Sequence, residues 1–265
     1  MTEEILSEFT PQYGFCPFSL VSDRLLDCRA KSRIPENAKT VIVCLFPYYL
    51  GKDAYSGSDI SKYAVVPDYH DTVIEILKDT CVKLKECYPD EEFVTFTDNS
   101  PVPEVFAAVN AGLGVYGKNG LFISREYGSW VFIGEIVTTK YYPQSTVSET
   151  ECTGCGKCIE ACPTQSITDS GVNAETCLSF ITQKKGELTE EEKKIIIDSG
   201  CLWGCDICQN VCPMNYNKTV NPLKAFSTDV RLKADAESLD GRAYGWRGKK
   251  VIERNINLLY KENEK

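Results

Sequence analysis

The sequence predicts an α/β domain over residues 1–147, a small cysteine-built domain over 148–222 and a helical extension over 223–265. Three observations carry this division. Strand-like and helix-like stretches alternate through the first part, the apolar pattern lapses from Ser145 to Glu151, and two cysteine runs follow. Alternating periodicities are the mark of mixed α/β packing, and polar breaks between patterned regions are where domains part.

Taken in order, Thr40 to Tyr48 (TVIVCLFPY) is a short apolar, β-branched run that suits a buried strand. Asp68 to Cys87 repeats Val73, Ile76, Leu77, Cys81 and Leu84 at helical spacing, and Phe93 to Thr97 reads as a second strand. Ser100 followed by Pro101 forms an N-cap and first-turn pair, with Gly112 as the stop, so a helix is expected over Ser100–Ala111. Trp130 to Thr138 is a third strand. Between the cysteine runs, Thr189 and Glu192 form a capping box for a helix ending before Gly200. Lys249 to Tyr260 places Val251, Ile252, Ile256 and Leu259 on one face of a helix.

Fourteen cysteines stand beside a single histidine. The opening MTEEILSEFT has neither a basic nor an apolar signal region, and no apolar stretch approaches the roughly 20 residues that cross a bilayer. A cytoplasmic protein without a membrane partner is therefore expected, its thiols reduced or metal-bound. The net charge of −9 disfavours non-specific adhesion to nucleic acid, although Arg242, Arg247, Lys249, Lys250 and Arg254 form a local basic excess.

The first run, Cys152-x-x-Cys155-x-x-Cys158-x-x-x-Cys162-Pro163, has the bacterial ferredoxin spacing, in which three thiolates hold one [4Fe-4S] cluster and the fourth reaches a second. The second run, Cys205-x-x-Cys208-x-x-x-Cys212-Pro213, repeats the end of the first and lacks one early ligand. Cys177 and Cys201 are the candidates, of which at most one is required. The assignment made here gives cluster 1 to Cys152, Cys155, Cys158 and Cys212 and cluster 2 to Cys162, Cys177, Cys205 and Cys208. Paired CxxC motifs also hold zinc, but zinc gives no reason for the repeated CxxxCP. Cys16, Cys28, Cys44, Cys81 and Cys87 stand alone and read as small buried hydrophobes.

Gly112-Leu113-Gly114-Val115-Tyr116-Gly117 matches the dinucleotide fingerprint GxGxxG, yet it follows a helix where the fingerprint must follow a strand. It reads as a helix stop and a tight loop. Asp68-x-His70 begins like the cobalt-binding DxHxxG signature, with Val73 in the glycine position, so His70 is expected to be an ordinary hydrogen-bonded histidine. Asp98 sits at the end of one strand and before a helix, where α/β sheets place their sites. As a proton donor it needs burial to raise its pKa.

Lys62-Tyr63-Ala64, Asp68-Tyr69-His70, Thr97-Asp98-Asn99-Ser100-Pro101, the loop AGLGVYGKN from Ala111 to Asn119, the strand Gly134-Glu135-Ile136 and both cysteine runs together resemble epoxyqueuosine reductases, which act in queuosine biosynthesis in tRNA. The resemblance implies a nitroreductase-like α/β domain that holds cobalamin and a ferredoxin-like domain that reduces it. It implies cofactor contacts at Tyr63, Tyr116, Gly117, Lys118 and Asn119, and a proton-donating role for Asp98. It also matches Cys177 to the separate cluster ligand, and it implies an external electron donor of the flavodoxin or ferredoxin kind. Two departures accompany it. Val105 stands where the family usually has arginine, and the sequence ends at Lys265, where the family commonly continues into a helical-repeat domain that helps hold tRNA. The expected function is a cobalamin-dependent reductase of epoxyqueuosine in tRNA or of a related small electrophile. The alternative is a ferredoxin-type electron-transfer protein, or a reductive activator of another corrinoid or flavin protein.

Overall fold

Thr40–Pro47 is buried along its whole length because both faces of its sheet are covered. A computed structural model describes residues 1–147 and 150–261. Its contacts sort the chain into two units, one of Met1–Pro47, Tyr69–Gly117 and Leu121–Cys152, the other of Tyr48–Asp68, Lys118–Gly120 and Thr153–Lys265. The boundary expected between 147 and 148 falls at residues 148 and 149, outside the described residues, as does the end of the C-terminal extension at 262–265. These contact units are discontinuous in sequence, 48–68 and 118–120 grouping with the cysteine-bearing part.

In the first unit β1 (Gln12–Pro17), β2 (Thr40–Pro47), β3 (Phe93–Thr97), β4 (Gly114–Tyr116), β5 (Phe122–Ser124) and β6 (Val131–Thr138) follow in chain order. The main sheet runs β1-β2-β6-β3 with every pairing antiparallel, and β4 and β5 form a separate hairpin. Val41, Val43, Leu45, Ile133 and Val137 pack on one side with Ala107 and Ala108 of the helix Glu104–Asn110 and with Ala111, its C-cap. The other side meets the helix Tyr69–Cys87, whose Val73, Leu77 and Leu84 are buried. Gly134 permits this contact: a Cβ there would lie 2.7 Å from Val73 Cγ1 and 2.9 Å from Leu77 Cδ1.

The helix expected from Ser100 starts instead at Glu104. Pro103 is the cause, because a residue before proline is pushed out of the helical region, here Val102. Ser100 caps a turn rather than a helix, its hydroxyl accepting from Val102 N–H at 3.1 Å. The GxGxxG stretch is divided as its context implied. Gly112 ends the helix at φ +75°, and Gly114 opens the β4–β5 hairpin.

In the second unit Trp203 and Tyr244 are fully buried in a core shared with Ile60, Val65, Leu178, Ile196, Val251 and Ile252. The helix Glu190–Ser199 carries the expected capping box between Thr189 and Glu192 and ends on Gly200 in the left-handed conformation. Thr189→Ala removes the hydroxyl that accepts from Glu192 N–H at 3.2 Å and is expected to cost about 1 kcal/mol. Urea titration reads this as a lower midpoint, and an unchanged midpoint would show the cap to be idle. The helix Lys249–Ile256 continues as one wider turn over Asn257–Lys261, with Val251, Ile252 and Leu259 buried.

Candidate functional site

Asp98 is the first residue past the β3 ladder, whose last pair is Thr97 with Gly134. The sheet is antiparallel, so the crevice rule for parallel α/β sheets does not place it there. A left-handed turn does. Asp98 has φ +51°, a conformation that aspartate tolerates better than most residues. The start of the helix Tyr69–Cys87 supplies its partners: Tyr69 Oη donates to Oδ1 at 3.1 Å, and His70 Nε2 lies 3.1 Å from Oδ2. Tyr69 is itself held between rings, stacked on His70 at 4.0 Å and on Phe132 of β6 at 4.3 Å between centroids.

Asp98 is half exposed, at 50% of its side chain. The hydrogen bond from His70 holds its carboxyl below the usual range, aided by Tyr69 and the Asn99 amide. The burial-raised acid expected from the sequence is therefore not found at Asp98. It is found behind it. Glu135, at the centre of β6, is fully buried, and among the described residues its carboxylate oxygens lack a well-formed hydrogen bond, the Ser100 side chain only tempering its charge. Burial, then the charge of Glu104, pushes its pKa well above the carboxylate range, and burial with the charge of Asp98 pushes Glu104 up to about 7. Glu135 lay in view as a lone acid in an apolar strand, but no local pattern tells a core acid from a surface one.

A pH dependence follows. Glu104 titrates near 7 in the fold against 4.5 when exposed, so the folded protein binds more protons between those values. The contribution of Glu104 to stability is full below about 4.5 and is lost as the pH rises through 7. The double variant Glu104→Gln, Glu135→Gln is expected to flatten this loss, a difference on the order of 2–3 kcal/mol. Melting temperatures across pH 5–8 test it; parallel wild-type and variant curves would refute it.

In the second unit the helices Lys157–Ala161 and Ile207–Asn210 pack together and bring the two cysteine runs into apposition. Cys205 lies within electrostatic reach of Cys177 and Cys162, and Cys208 within reach of Cys205 and Cys177. These are the four thiols assigned to cluster 2. Backbone amides of Ser166, Thr164 and Ile167 turn to Cys162 and that of Ile207 to Cys205, the donor surroundings that thiolate ligands need. Cys201 also neighbours Cys205, but its one S–H is shared between the carbonyls of Gly204 at 3.3 Å and Trp203 at 3.4 Å, and burial pushes its pKa up to about 12. Of the lone cysteines, Cys16 and Cys44 are buried as expected, whereas Cys28, Cys81 and Cys87 are only partly so.

The residues matched to cofactor contacts divide between the units. Tyr116 and Gly117 belong to the first, with Tyr116 59% exposed; Tyr63, Lys118 and Asn119 belong to the second. Tyr63 Oη accepts from Trp203 Nε1 at 2.8 Å, and Lys118 pairs with Asp169. Val105 packs against the core of the first unit and presents no cation. The basic excess near the end is largely consumed inside its own unit. Arg242 is buried on Asp229, Arg254 donates to the carbonyls of Lys184 and Gly186, Lys249 pairs with Glu237, and Arg247 stacks on Trp246 at 3.8 Å. Among the described residues no helix is long and apolar enough to cross a membrane.

Residues 29–99 match the family described as Epoxyqueuosine reductase QueG, DUF1730, and residues 151–215 match the 4Fe-4S double cluster binding domain. The epoxyqueuosine reductase of Lactococcus garvieae is 33% identical over 254 residues, covering 87% of this chain and 71% of that protein. That of Synechocystis is 38% identical over 188 residues, covering 68% of this chain and 63% of that protein. The chain spans only about half, 54%, of the Listeria monocytogenes relative. Among solved structures, the epoxyqueuosine reductase of Streptococcus thermophilus superposes with a TM-score of 0.81 at 26% identity, over all of this chain and 81% of that one. An epoxyqueuosine reductase bound to an epoxyqueuosine-modified tRNA-Tyr stem loop matches with a TM-score of 0.81 at 26% identity, over 97% of this chain and 79% of that one.

Proposed function

The chain belongs to the epoxyqueuosine reductase family, and on that premise we propose that it reduces epoxyqueuosine in tRNA, using two [4Fe-4S] clusters and cobalamin. Converting an epoxide to an alkene consumes two electrons and two protons and releases water. Cobalamin, when bound, supplies the reduced metal centre at which the oxygen is removed, and the clusters supply electrons received from an external one-electron donor. The single observation that carries the reading is the Asp98–His70–Tyr69 group in the first unit.

The donor set suits a cubane in its chemistry: four neighbouring thiols, two of which, Cys162 and Cys205, have backbone N–H groups turned to their sulfurs. On this reading Cys177 completes cluster 2, and Cys201, spent on two carbonyls, is left out. For the corrinoid, the exposed Tyr116 and the half-exposed Asp98 suit a group lying against the first unit, while Val105 contributes no charge to it. Asp98 is held ionised, so the proton it passes on is one shared with His70 across the Oδ2–Nε2 contact. His70 recharges the carboxylate and Tyr69 fixes its direction.

Protein reconstituted anaerobically with iron, sulfide and cobalamin, supplied with a low-potential donor, should convert epoxyqueuosine-containing tRNA to the queuosine form. Nucleoside mass spectrometry reads the loss of oxygen. Absence of any corrinoid spectral change on reduction would remove the cobalamin reading; corrinoid binding without product would remove the substrate.

A further inference from the structure

Lys118, Asn119 and Gly120 lie in sequence within the α/β part, yet they group by contact with the cysteine-bearing unit. Each is held there by a different means. Lys118 is paired with Asp169, and Gly120, at φ +78°, lies so close to Val172 that an added Cβ would sit 3.2 Å from its Cγ2. Between them Asn119, 8% exposed, directs its Nδ2 at Cys208 Sγ at 3.8 Å, within hydrogen-bonding range for sulfur.

An amide N–H donates and has no proton to lose near neutral pH, so its effect on a sulfur ligand is electrostatic and fixed. Reduction adds one negative charge to a cluster and spreads it over the sulfurs, so a donor aimed at a ligand sulfur binds the reduced state more tightly than the oxidised one. Hydrogen bonds to sulfur and solvent exposure are the levers by which protein sets these potentials. Here the donor is buried and held on both sides by anchored neighbours.

We propose that Asn119 is a positioning residue for electron transfer, raising the reduction potential of cluster 2 through its hydrogen bond to Cys208. The inference rests on the cluster reading above and deepens it. One electron enters the cluster from the external donor, no covalent bond forms or breaks, and the amide proton stays on nitrogen while its contact with sulfur strengthens. This use of Asn119 differs from the cofactor contact that the resemblance implies for it.

The test uses the full chain with both clusters reconstituted, following the midpoint of each by electron paramagnetic resonance during a reductive titration. Asn119→Ala is expected to weaken reduction of one cluster about tenfold, a fall of about 59 mV for one electron, and to leave the other midpoint in place. Asn119→Asp, similar in shape but presenting an acceptor, should lower the same midpoint further. Unchanged midpoints in both variants, an equal shift of both clusters, or failure of both variants to hold the second cluster would overturn the proposal. Wild-type protein that takes up no iron defeats the cluster reading instead, and the iron assay run first keeps the two failures apart.

Discussion

Replacing Asp98 by Asn is expected to lower turnover of epoxyqueuosine tRNA by at least about 100-fold, the lower end of what a positioned proton-transfer group contributes. The substitution is gentle on the fold. Asparagine tolerates the left-handed backbone at φ +51° as aspartate does, and its carbonyl oxygen still accepts from Tyr69. What it removes is the charge that binds a proton between Oδ2 and His70 Nε2. Iron content and cobalamin uptake are therefore expected to match the wild type, and the loss should fall on kcat rather than KM. Wild-type turnover in the variant would strip Asp98 of its proton-transfer role. His70→Gln offers a second reading of the same pair, since a shared proton predicts that it too lowers kcat and shifts the pH profile.

The second large effect concerns the eighth cluster ligand. Cys177→Ser is expected to deprive cluster 2 of a ligand, lowering iron from about eight to about four per chain and abolishing turnover. Cys201→Ser is expected to change neither, because that thiol is already engaged with the carbonyls of Gly204 and Trp203. Iron and sulfide assays on the two variants separate the alternatives. Full iron in Cys177→Ser alongside a loss in Cys201→Ser would reverse the assignment.

Much of this was legible in the sequence where local chemistry decides. Thr40–Pro47, Phe93–Thr97 and the helix ending at Cys87 declare themselves through burial patterns, and Thr189 with Glu192 through cap chemistry. β1 escaped because Gln12–Pro17 mixes aromatics, glycine and proline without alternation, and owes its form to pairing with β2. The direction of strand pairing is not a local property either. At the site, Asp98 was visible but its environment was not. Asp68-x-His70 reads as one motif, yet Asp68 N–H bonds to Gly241 O while His70 turns to a carboxylate 28 residues on. Glu104 and Glu135 acquire their raised pKa values from tertiary burial, which composition does not encode.

The interleaving of the two units along the chain bears on how this protein can be taken apart. The core around Trp203 draws Ile60, Ala64 and Val65 from a stretch well upstream of the first cysteine run. A fragment beginning at Thr153 would contain every cysteine assigned to cluster 2 and still lack part of its own interior, besides the asparagine that addresses Cys208. No single proteolytic nick frees the whole cysteine-bearing unit from this chain. Swapping that module between relatives means grafting three separate stretches at once.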